Sequence, residues 1–591
     1  MAQHPEFRSS LHPPLDLSHH FSQTTKNRQS SNVKGLYKWF QIPGMQNVAG
    51  GLPHESYFPY DTLEAAAARP SRFDLPDSSK GKNNKPAEWH VTVPKIQDTT
   101  DILKKIDLST ALQYGTAEGY PPLAAFIRKL TRDHLHPNIP YAEGPEIIMS
   151  CGNTDGFGKV IEALTNPWNK TRDWIRDKEG VLFEEFAYMN AVQTVQPRGL
   201  NIVTVAVDAD GMKASGPGGL ADVLENWDFS QGRCPHLMYT VTLGQNPTGS
   251  TTSIERRKEI YALCQKYDII IIEDEPYWNL QFPSSRKHAA KYRGDAVQAD
   301  LFNRNYNAHG RSSGYEFLDS LVPSFLSIDV DGRVVRLDTF SKTIAPGCRL
   351  GWVTAQPAII ERIARITETS TQQPSGFVQV MVAQLLLQQQ SSPAARKATD
   401  KDNLGWTLDG WIQWLEGLRD AYERRVHDMC STLEEGRTVA IDKPAPAAKH
   451  RRAPSNGGLD SWSVVSKVPM YDFNWPLAGM FIWIKIRYDT HPLLEIYGAE
   501  KVCKALWLFL LEKPFLVLCA PGTMFAPTEA IRGRASKYLR LCFAPMAEDA
   551  VTDISQHFVA GCRAFWQLEN FDDIPGLDDP IMPEMMGMQM C

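Results

Sequence analysis

One short segment brings a lysine, a hydroxyl and an arginine close together in the chain. Residues 338–352 have the sequence DTFSKTIAPGCRLGW, in which Ser341 precedes Lys342 and Arg349 follows seven residues after the lysine. Partial desolvation and a neighbouring cation lower the pKa of a lysine and make its amine available as a nucleophile. A hydroxyl and an arginine can together bind a phosphate dianion. These residues suit a lysine that forms a Schiff base beside a bound phosphate, and a surface lysine at a strand–loop junction is the alternative that the residues alone leave open.

Three other polar segments follow short apolar runs. They are Ser150–Gly156 (SCGNTDG), Gln245–Gly249 (QNPTG) and Glu273–Tyr277 (EDEPY). The first opens a helical pattern, and free N–H groups at a helix start can bind a phosphate. Ligands of open α/β sheets lie beyond the carboxyl ends of the strands, which is where all three segments are expected.

The apolar runs themselves predict the fold that positions these segments. Each run is continuous and rich in β-branched residues, which is typical of strands buried on both faces of a parallel sheet. Helical patterns lie between them, such as Ile254–Lys266, where apolar positions recur every three or four residues. This alternation predicts an α/β fold. The predicted strands are Val181–Phe183, Ile202–Val207, Leu237–Thr242, Ile269–Glu273 and Val334–Asp338.

The C-terminal part of the chain predicts a second, smaller domain. Its strands are predicted at Met480–Ile486, Phe515–Cys519 and Leu539–Phe543. Segment 283–315 is polar, basic and without periodicity, and segment 434–472 is rich in Ala, Pro, Ser, Gly and basic residues. Both are predicted to be surface insertions or partly disordered loops. The predicted organisation is a flexible segment 1–45, an N-terminal arm 46–110 that contributes to the small domain, a large domain 111–400 and a small domain 401–591.

Composition excludes several functional classes. The 591 residues include 62 Lys and Arg against 68 Asp and Glu, a net charge of −6, which gives no reason to expect nucleic acid or an anionic membrane as a partner. No pair of the ten cysteines has C-x-x-C spacing, so we predict no metal site. No run of about 18 apolar residues is present, and residues 1–31 have no apolar signal region. We expect a cytoplasmic protein, with a mitochondrial presequence as the alternative.

The segment around Lys342 resembles the S-x-S-K-x-x-A-P-G-x-R-x-G-[WF] signature of class I/II aminotransferases, enzymes of pyridoxal phosphate (PLP) fold type I. Thr339 stands where the signature has its first serine, so a hydroxyl remains. Gly50–Pro53 with Tyr57–Pro59 is similar to the opening of the branch that contains fungal aromatic, 2-aminoadipate and kynurenine aminotransferases. The resemblance covers roughly residues 46–560. It implies a large α/β domain with a mainly parallel seven-stranded sheet and a smaller C-terminal α+β domain.

The resemblance also implies how PLP is held. Lys342 would bind the cofactor covalently and Asp274 would lie beside the pyridine nitrogen, where a carboxylate keeps the ring protonated and a better electron sink. Asn246 and Tyr277 would reach the phenolic oxygen, and Tyr188 would stack on the ring. The remaining residues implied to bind the cofactor, mostly at its phosphate, are Asn153, Thr154, Thr339, Ser341 and Arg349.

Other residues are implied to bind the substrate or to act across a subunit interface. Arg540 lies in Tyr538–Phe543, which resembles the strand whose arginine grips the substrate α-carboxylate. Asn246 and Gly51 are the other implied substrate contacts. Tyr114 resembles the tyrosine that reaches the phosphate of the neighbouring subunit. This likeness implies a homodimer with shared active sites.

We therefore expect a transaminase that acts on an amino acid and a 2-oxo acid by a ping-pong mechanism, with Lys342, Asp274 and Tyr277 as catalytic residues. The family branch suggests an aromatic amino acid, with 2-aminoadipate or kynurenine as alternatives. A β-lyase or decarboxylase would use the same motifs. A non-catalytic regulator of this fold is disfavoured, because residues 1–40 are too short and polar for a winged helix and none of the key side chains is missing.

Overall fold

A computed structural model describes residues 11–30, 39, 42, 44–45, 48–73, 88–294, 304–387, 406–444 and 463–578. Residues 11–30, which were expected to be flexible, instead pack against the body of the protein. Leu17 and Phe21 are buried in its largest apolar cluster. Ser22 accepts a hydrogen bond from the backbone of Thr25 at 3.1 Å and starts helix α1 (Gln23–Asn27). Two apolar side chains and one cap were too weak a pattern to predict this packing.

The next elements form a ribbon and the large domain. The strands are β1 (Thr62–Ala68), β2 (Glu88–Pro94), β3 (Glu146–Ser150), β4 (Gly180–Glu184), β5 (Asn201–Val205), β6 (Val207–Asp208), β7 (Gly211–Met212), β8 (Leu237–Thr240), β9 (Ile270–Asp274), β10 (Val334–Thr339) and β11 (Gly351–Ala355). The helices are α2 (Leu108–Ala111), α3 (Pro121–Lys129), α4 (Asn153–Leu164), α5 (Met189–Val195), α6 (Leu220–Glu225), α7 (Ile254–Lys266), α8 (Ser285–Arg293), α9 (Glu316–Ser320), α10 (Pro357–Glu368) and α11 (Gly376–Leu387).

Seven strands form the central sheet in the order β3-β11-β10-β9-β8-β4-β5. Strand β11 is antiparallel to both neighbours, and β10, β9, β8, β4 and β5 are mutually parallel. The predicted mainly parallel sheet of seven strands is therefore confirmed. Strands β8, β9 and β10 end side by side, so the segments that follow them meet at one edge of the sheet.

The five strands predicted for the large domain are present with ends shifted by at most two residues, and α7 has the predicted bounds. The antiparallel ribbon β1–β2 packs on helices of the large domain and also contacts the C-terminal part, where Trp406 donates to the carbonyl of Ala68 at 2.6 Å. Val91 and Val93 on β2 are buried in one cluster with Leu123 of α3 and Val380 of α11. Alternation of valines along β2 gives the ribbon one apolar face, and that face covers the large domain.

The C-terminal part contains α12 (Leu408–Glu435), β12 (Thr438–Pro444), β13 (Ser463–Pro469), β14 (Tyr471–Phe473), β15 (Phe481–Ile486), α13 (Leu494–Leu511), β16 (Ala520–Pro521), α14 (Glu529–Ala535), β17 (Tyr538–Cys542) and α15 (Val551–Phe565). An antiparallel sheet with the order β14-β15-β17-β16 packs with α13 and α15 and forms the predicted α+β domain. We find no membrane-spanning candidate among the helices of the described residues.

Two predictions for this part are wrong. Phe515–Cys519 is not a strand, because Leu516 has a left-handed φ of 53° that interrupts an extended backbone. The polar stretch 434–472 is not simply a loop, since β12 and β13 pair along it as an antiparallel ribbon. Residues 445–462 of that stretch lie outside the described residues.

The first predicted insertion, 283–315, also contains regular structure. Helix α8 occupies Ser285–Arg293 within it. The backbone of Ser284 donates to Glu423 of α12 at 2.7 Å, and Arg293 donates to Glu434 at 2.7 Å. Polar contacts rather than an apolar stripe hold this helix, which explains why the sequence has no clear helical period there.

A buried ion network joins β9 to β10. The guanidinium of Arg336 is fully buried, donates to Asp338 at 2.8 Å and reaches Glu273 at 3.4 Å. Arg257 contacts the same Glu273 at 3.4 Å. Because each charge has a partner, removing one would leave the others buried and unpaired.

We therefore expect Arg336→Met to lower the free energy of unfolding by about 3–5 kcal/mol. The measurement is urea denaturation followed by circular dichroism. Arg172→Met is the matched control, because Arg172 pairs with Asp173 at the surface and its loss should leave the midpoint unchanged. Equal midpoints for the two variants would contradict a structural role for the network.

Candidate active site

A cavity of about 240 Å³ lies at the carboxyl ends of the parallel strands. It collects residues that are far apart in the sequence, from the starts of α4 and α5, from the ends of β9 and β10, and from the turns that follow β8 and β10. Ten of the residues predicted for the site line it: Asn153, Thr154, Tyr188, Asn246, Asp274, Tyr277, Thr339, Ser341, Lys342 and Arg349.

The turn after β10 directs Lys342 into the cavity. Thr339 accepts a hydrogen bond from the backbone of Ser341 at 3.1 Å, and their hydroxyl oxygens are 2.8 Å apart. This cap starts the short helical turn on which Lys342 lies. Burial lowers the pKa of the Lys342 ammonium, which increases the neutral fraction that can act as a nucleophile.

An anion cradle lies beside this turn. Helix α4 begins after Gly152, whose φ is 90°, and no side chain caps its first N–H groups. Arg349 donates to the carbonyl of Cys151 at 3.1 Å and to the hydroxyl of Ser341 at 3.4 Å. A Cβ atom at position 152 would lie only 2.5 Å from Arg349 Nη2. Free N–H groups, a hydroxyl and a guanidinium thus converge at one point, as a phosphate requires.

At the floor of the cavity, Asp274 is held by two hydrogen bonds. Asn153 Nδ2 donates to Oδ1 at 2.6 Å, and the Tyr239 hydroxyl donates to Oδ2 at 2.7 Å. Burial raises the pKa of Asp274, and these two donors oppose that rise. The Asn153 side chain, expected at the phosphate, is therefore directed to this carboxylate. Tyr239 was not predicted as a site residue. Its place in the buried strand Leu237–Thr240 nevertheless indicates that its hydroxyl needs a hydrogen-bond partner.

The small domain contributes Arg540, which borders the cavity through the lining residues Asn246 and Phe481. Its Nη1 donates to Asn246 Oδ1 at 2.7 Å, and its Nε is buried without a hydrogen-bond partner. The guanidinium carbon lies 4.4 Å from the ring centre of Phe481 and 4.6 Å from that of Phe525. Neither ring was predicted from the sequence to belong to the site. They fix the plane of the guanidinium and leave an edge that a carboxylate could bind bidentately.

The two predicted tyrosines have different surroundings. Tyr188 accepts a hydrogen bond from Asn190 at 2.8 Å, while Tyr277 is buried and meets the ring of Phe481 edge-on, at 5.8 Å between centroids. Burial raises the pKa of both phenols, so both remain protonated at neutral pH and can donate a hydrogen bond.

Besides Arg540, which borders the cavity through its contacts with Asn246 and Phe481, two predicted residues do not line the cavity of this chain. The Tyr114 side chain is 57 % exposed, and a Cβ on the exposed Gly51 would meet no atom within 4 Å. Their predicted contacts with cofactor and substrate are therefore not made within a single chain of this structure.

Comparison with known proteins agrees with this geometry. The family model for aminotransferase class I and II matches residues 82–558. The chain belongs to this family. An aromatic amino acid aminotransferase of Schizosaccharomyces pombe is 35 % identical over 80 % of this chain and 82 % of its own length. The L-tyrosine:2-oxoglutarate aminotransferase of Serpula lacrymans is 32 % identical over 92 % of this chain and 87 % of its own. The crystal structure of aminotransferase Aro8 from Candida albicans is 30 % identical, with a TM-score of 0.71, and covers 94 % of this chain and 100 % of its own.

The cofactor of this aminotransferase is pyridoxal 5′-phosphate, and the cavity fits it. The lysine can bind its aldehyde, the cradle at Gly152 and Arg349 can bind its phosphate, and the buried carboxylate of Asp274 can pair with its ring nitrogen. The absence of a side chain at position 152 is the most specific of these features, because it keeps the N–H groups of α4 open.

We expect Gly152→Ala to raise the dissociation constant for pyridoxal phosphate at least tenfold, or about 1.4 kcal/mol. The new methyl group would displace Arg349 and strain a backbone with φ of 90°. The measurement is an absorbance titration of cofactor-free enzyme. Gly158→Ala is the matched control, because a Cβ at that position of α4 meets no atom within 4 Å. Unchanged affinity in Gly152→Ala would argue against the cradle.

Proposed function

We propose that this aminotransferase moves the amino group of an aromatic L-amino acid to a 2-oxo acid such as 2-oxoglutarate in a ping-pong cycle. The observation that carries the proposal is Arg540, which is held between Phe481 and Phe525 and hydrogen-bonded to Asn246 in the lining of the cavity that contains Lys342. An α-carboxylate is common to amino acids and 2-oxo acids, so one arginine can serve both halves of the cycle.

Bound pyridoxal phosphate supplies an aldehyde that takes up the amino group and a ring that withdraws electrons from the substrate Cα. Arg540 would bind the α-carboxylate and thereby orient Cα. Lys342 Nζ, once released by the incoming amine, would remove the proton from Cα. Asp274 would hold a proton on the ring nitrogen, and Asn153 and Tyr239 would position its carboxylate.

The other lining residues complete the proposed site. Tyr277 and Asn246 would donate to the phenolic oxygen of the cofactor. Asn246 Oδ1 accepts from Arg540, so its Nδ2 is the end of the amide that can donate. Tyr188 would stack on the ring. Thr154, Thr339, Ser341 and Arg349 would anchor the phosphate together with the first N–H groups of α4.

The aromatic preference is supported by the names of the relatives. Two of them, an aromatic amino acid aminotransferase and an L-tyrosine:2-oxoglutarate aminotransferase, are 35 % and 32 % identical to this chain. The kynurenine/alpha-aminoadipate aminotransferase of Bos taurus is 28 % identical to this chain. Kynurenine and 2-aminoadipate are therefore the substrates to compare with aromatic amino acids.

We expect phenylalanine and tyrosine to exceed 2-aminoadipate and kynurenine in kcat/KM with 2-oxoglutarate as acceptor, and glutamate to form in equal amount. Arg540→Lys should lower kcat/KM at least a hundredfold, about 2.7 kcal/mol, because an ammonium cannot replace the bidentate contact. The measurement is a donor panel analysed by chromatography of both products.

Arg534→Lys is the control for this panel, since Arg534 is an exposed arginine of the same domain and should be dispensable. Ammonia with pyruvate, or an amine with carbon dioxide, in place of glutamate would mean a β-lyase or a decarboxylase. A best donor from outside the aromatic group would reject the substrate assignment but leave the transaminase chemistry intact.

We also propose that the enzyme is a homodimer with shared active sites. Hydrogen bonds join Gln113, the neighbour of Tyr114, to Pro53 and Gln373, and the apolar side chains that follow in those two segments stay exposed in one chain, Tyr57 at 83 % and Phe377 at 39 %. Exposed apolar surface of this kind is typical of a surface that another chain covers. Tyr114 of each chain would then reach the cofactor phosphate in the other.

Subunit mixing tests this proposal. Tyr114→Ala and Lys342→Ala dimers should each be weak or inactive, yet after complete random exchange activity should recover toward a quarter of the wild-type value, because one site of each mixed dimer draws both residues from intact copies. Mixing Asp274→Asn with Lys342→Ala is the control and should recover nothing, since both of those residues belong to one chain's site. No recovery with Tyr114→Ala despite proven exchange would mean that Tyr114 acts within its own subunit.

We further propose a cytoplasmic location. The nine cysteines within the described residues are all free, which suits a reducing compartment. A mitochondrial location is the alternative, and cell fractionation distinguishes the two.

A further inference from the structure

A second group of polar side chains lies at the opposite edge of the central sheet from Lys342. Glu179 directly precedes β4, His236 precedes β8 and Asp268 lies two residues before β9, and these three strands are neighbours. His19 and His20 approach the same place from the packed N-terminal segment, residues 11–30. The parallel topology therefore brings five potential ligands or supporting groups to the amino ends of the strands, where catalysis has no use for them.

Three groups of this cluster, the exposed His19 and Asp268 and the buried His20, are close enough to share an ion. His19 Nε2 lies 2.6 Å from Asp268 Oδ2, and His20 Nε2 lies 3.2 Å from Asp268 Oδ1. The three ligand atoms all lie within 4.8 Å of one another, and no other group of this kind occurs in the described part of the chain. Ligands of a tetrahedral zinc ion, at 2.0–2.2 Å from the metal, are about 3.3 Å apart, so small side-chain rotations would suffice.

We propose that His19, His20 and Asp268 form a binding site for a divalent transition metal such as Zn²⁺. Two imidazoles and one carboxylate are a ligand set that zinc uses, with the fourth position open to water. Hard cations such as Mg²⁺ and Ca²⁺ prefer a shell of oxygen ligands, which this cluster does not provide. The lack of C-x-x-C spacing predicts no metal site, but these three ligands come from segments that are distant in the chain.

Groups behind the three ligands support them. His20 Nδ1 lies 3.0 Å from His236 Nδ1, and the two rings stack with centroids 5.2 Å apart. Glu179 lies behind His236, at 3.7 Å from its Nε2, and is itself held by Asn166 at 2.9 and 3.0 Å. Metal-bound histidines commonly use their second ring nitrogen in this way. The Nε2 atoms of His20 and His236 are buried without a hydrogen-bond partner, and a metal would satisfy that of His20.

The Asp268 carboxylate also has a cationic neighbour. Arg333 lies 3.6 Å from Asp268, but its closer partner is Asp331 at 2.9 Å.

A metal ion bound by these three residues would have a structural role. A metal at this place would fasten residues 11–30 to the amino edge of the sheet, without contact with the cavity at the other edge. This inference does not depend on the substrate proposed above, and its measurements do not use turnover.

The test uses tag-free holoenzyme that has been dialysed against a chelator and then freed of it. Calorimetric titration with Zn²⁺ should give one ion per chain, and Co²⁺ should give visible absorption of a four- or five-coordinate site. His19→Ala and Asp268→Asn should each weaken binding at least tenfold. Both are mild changes, because His19 is largely exposed and asparagine tolerates the left-handed φ of 53° at position 268.

His309→Ala is the matched control, since His309 is an exposed histidine outside the cluster and its loss should leave Zn²⁺ affinity unchanged. Limited proteolysis should cut within residues 11–30 more slowly when Zn²⁺ is present. Binding well below one equivalent, or binding that persists unchanged in both cluster variants, would overturn the proposal, and the latter would mean that the ion is held elsewhere, for example by the cofactor.

Discussion

The active site depends on the buried contact of Arg336 with Asp338 and Glu273. This contact joins β10 to β9 in a register that places Asp274 opposite Leu337, five residues before Lys342. The lysine and the carboxylate thereby end on neighbouring strands at the same edge of the sheet. A buried guanidinium is tolerated there only because carboxylates accept hydrogen bonds from it on two sides. The same charge network therefore also sets the position of the lysine.

The small domain must approach this edge closely to contribute Arg540. Two glycines make that possible where the turn after β8 meets the start of β15. A Cβ at Gly479 would lie 2.7 Å from the Cα atom of Gly244, and both residues have positive φ. Their backbones pack against each other, and Asn246 then lies within 2.7 Å of Arg540. Close packing of the two backbones across the domains thus orients Arg540, which is proposed to bind the substrate carboxylate.

The structure uses the two edges of the parallel sheet differently. At the carboxyl edge, uncapped N–H groups, a buried acid and a lysine with a lowered pKa surround the cavity. At the amino edge, His236 and Asp268 precede neighbouring strands and receive His19 and His20 from the N-terminal segment. Both groupings follow from topology, because parallel strands bring their ends together in rows whatever their separation along the chain.

The sequence by itself determined the fold class, the principal strands and ten residues of the cavity, because continuous β-branched runs and short motifs are local signals. It did not predict α8, the ribbon of β12 and β13 or the turn at Leu516, where polar contacts or a single backbone angle decide the structure. Only the tertiary structure decided that Asn153 and Tyr239 hold Asp274, that two phenylalanine rings hold Arg540, and that two histidines meet Asp268. These contacts join residues distant in the chain, and no local pattern specifies which distant partner a side chain will meet.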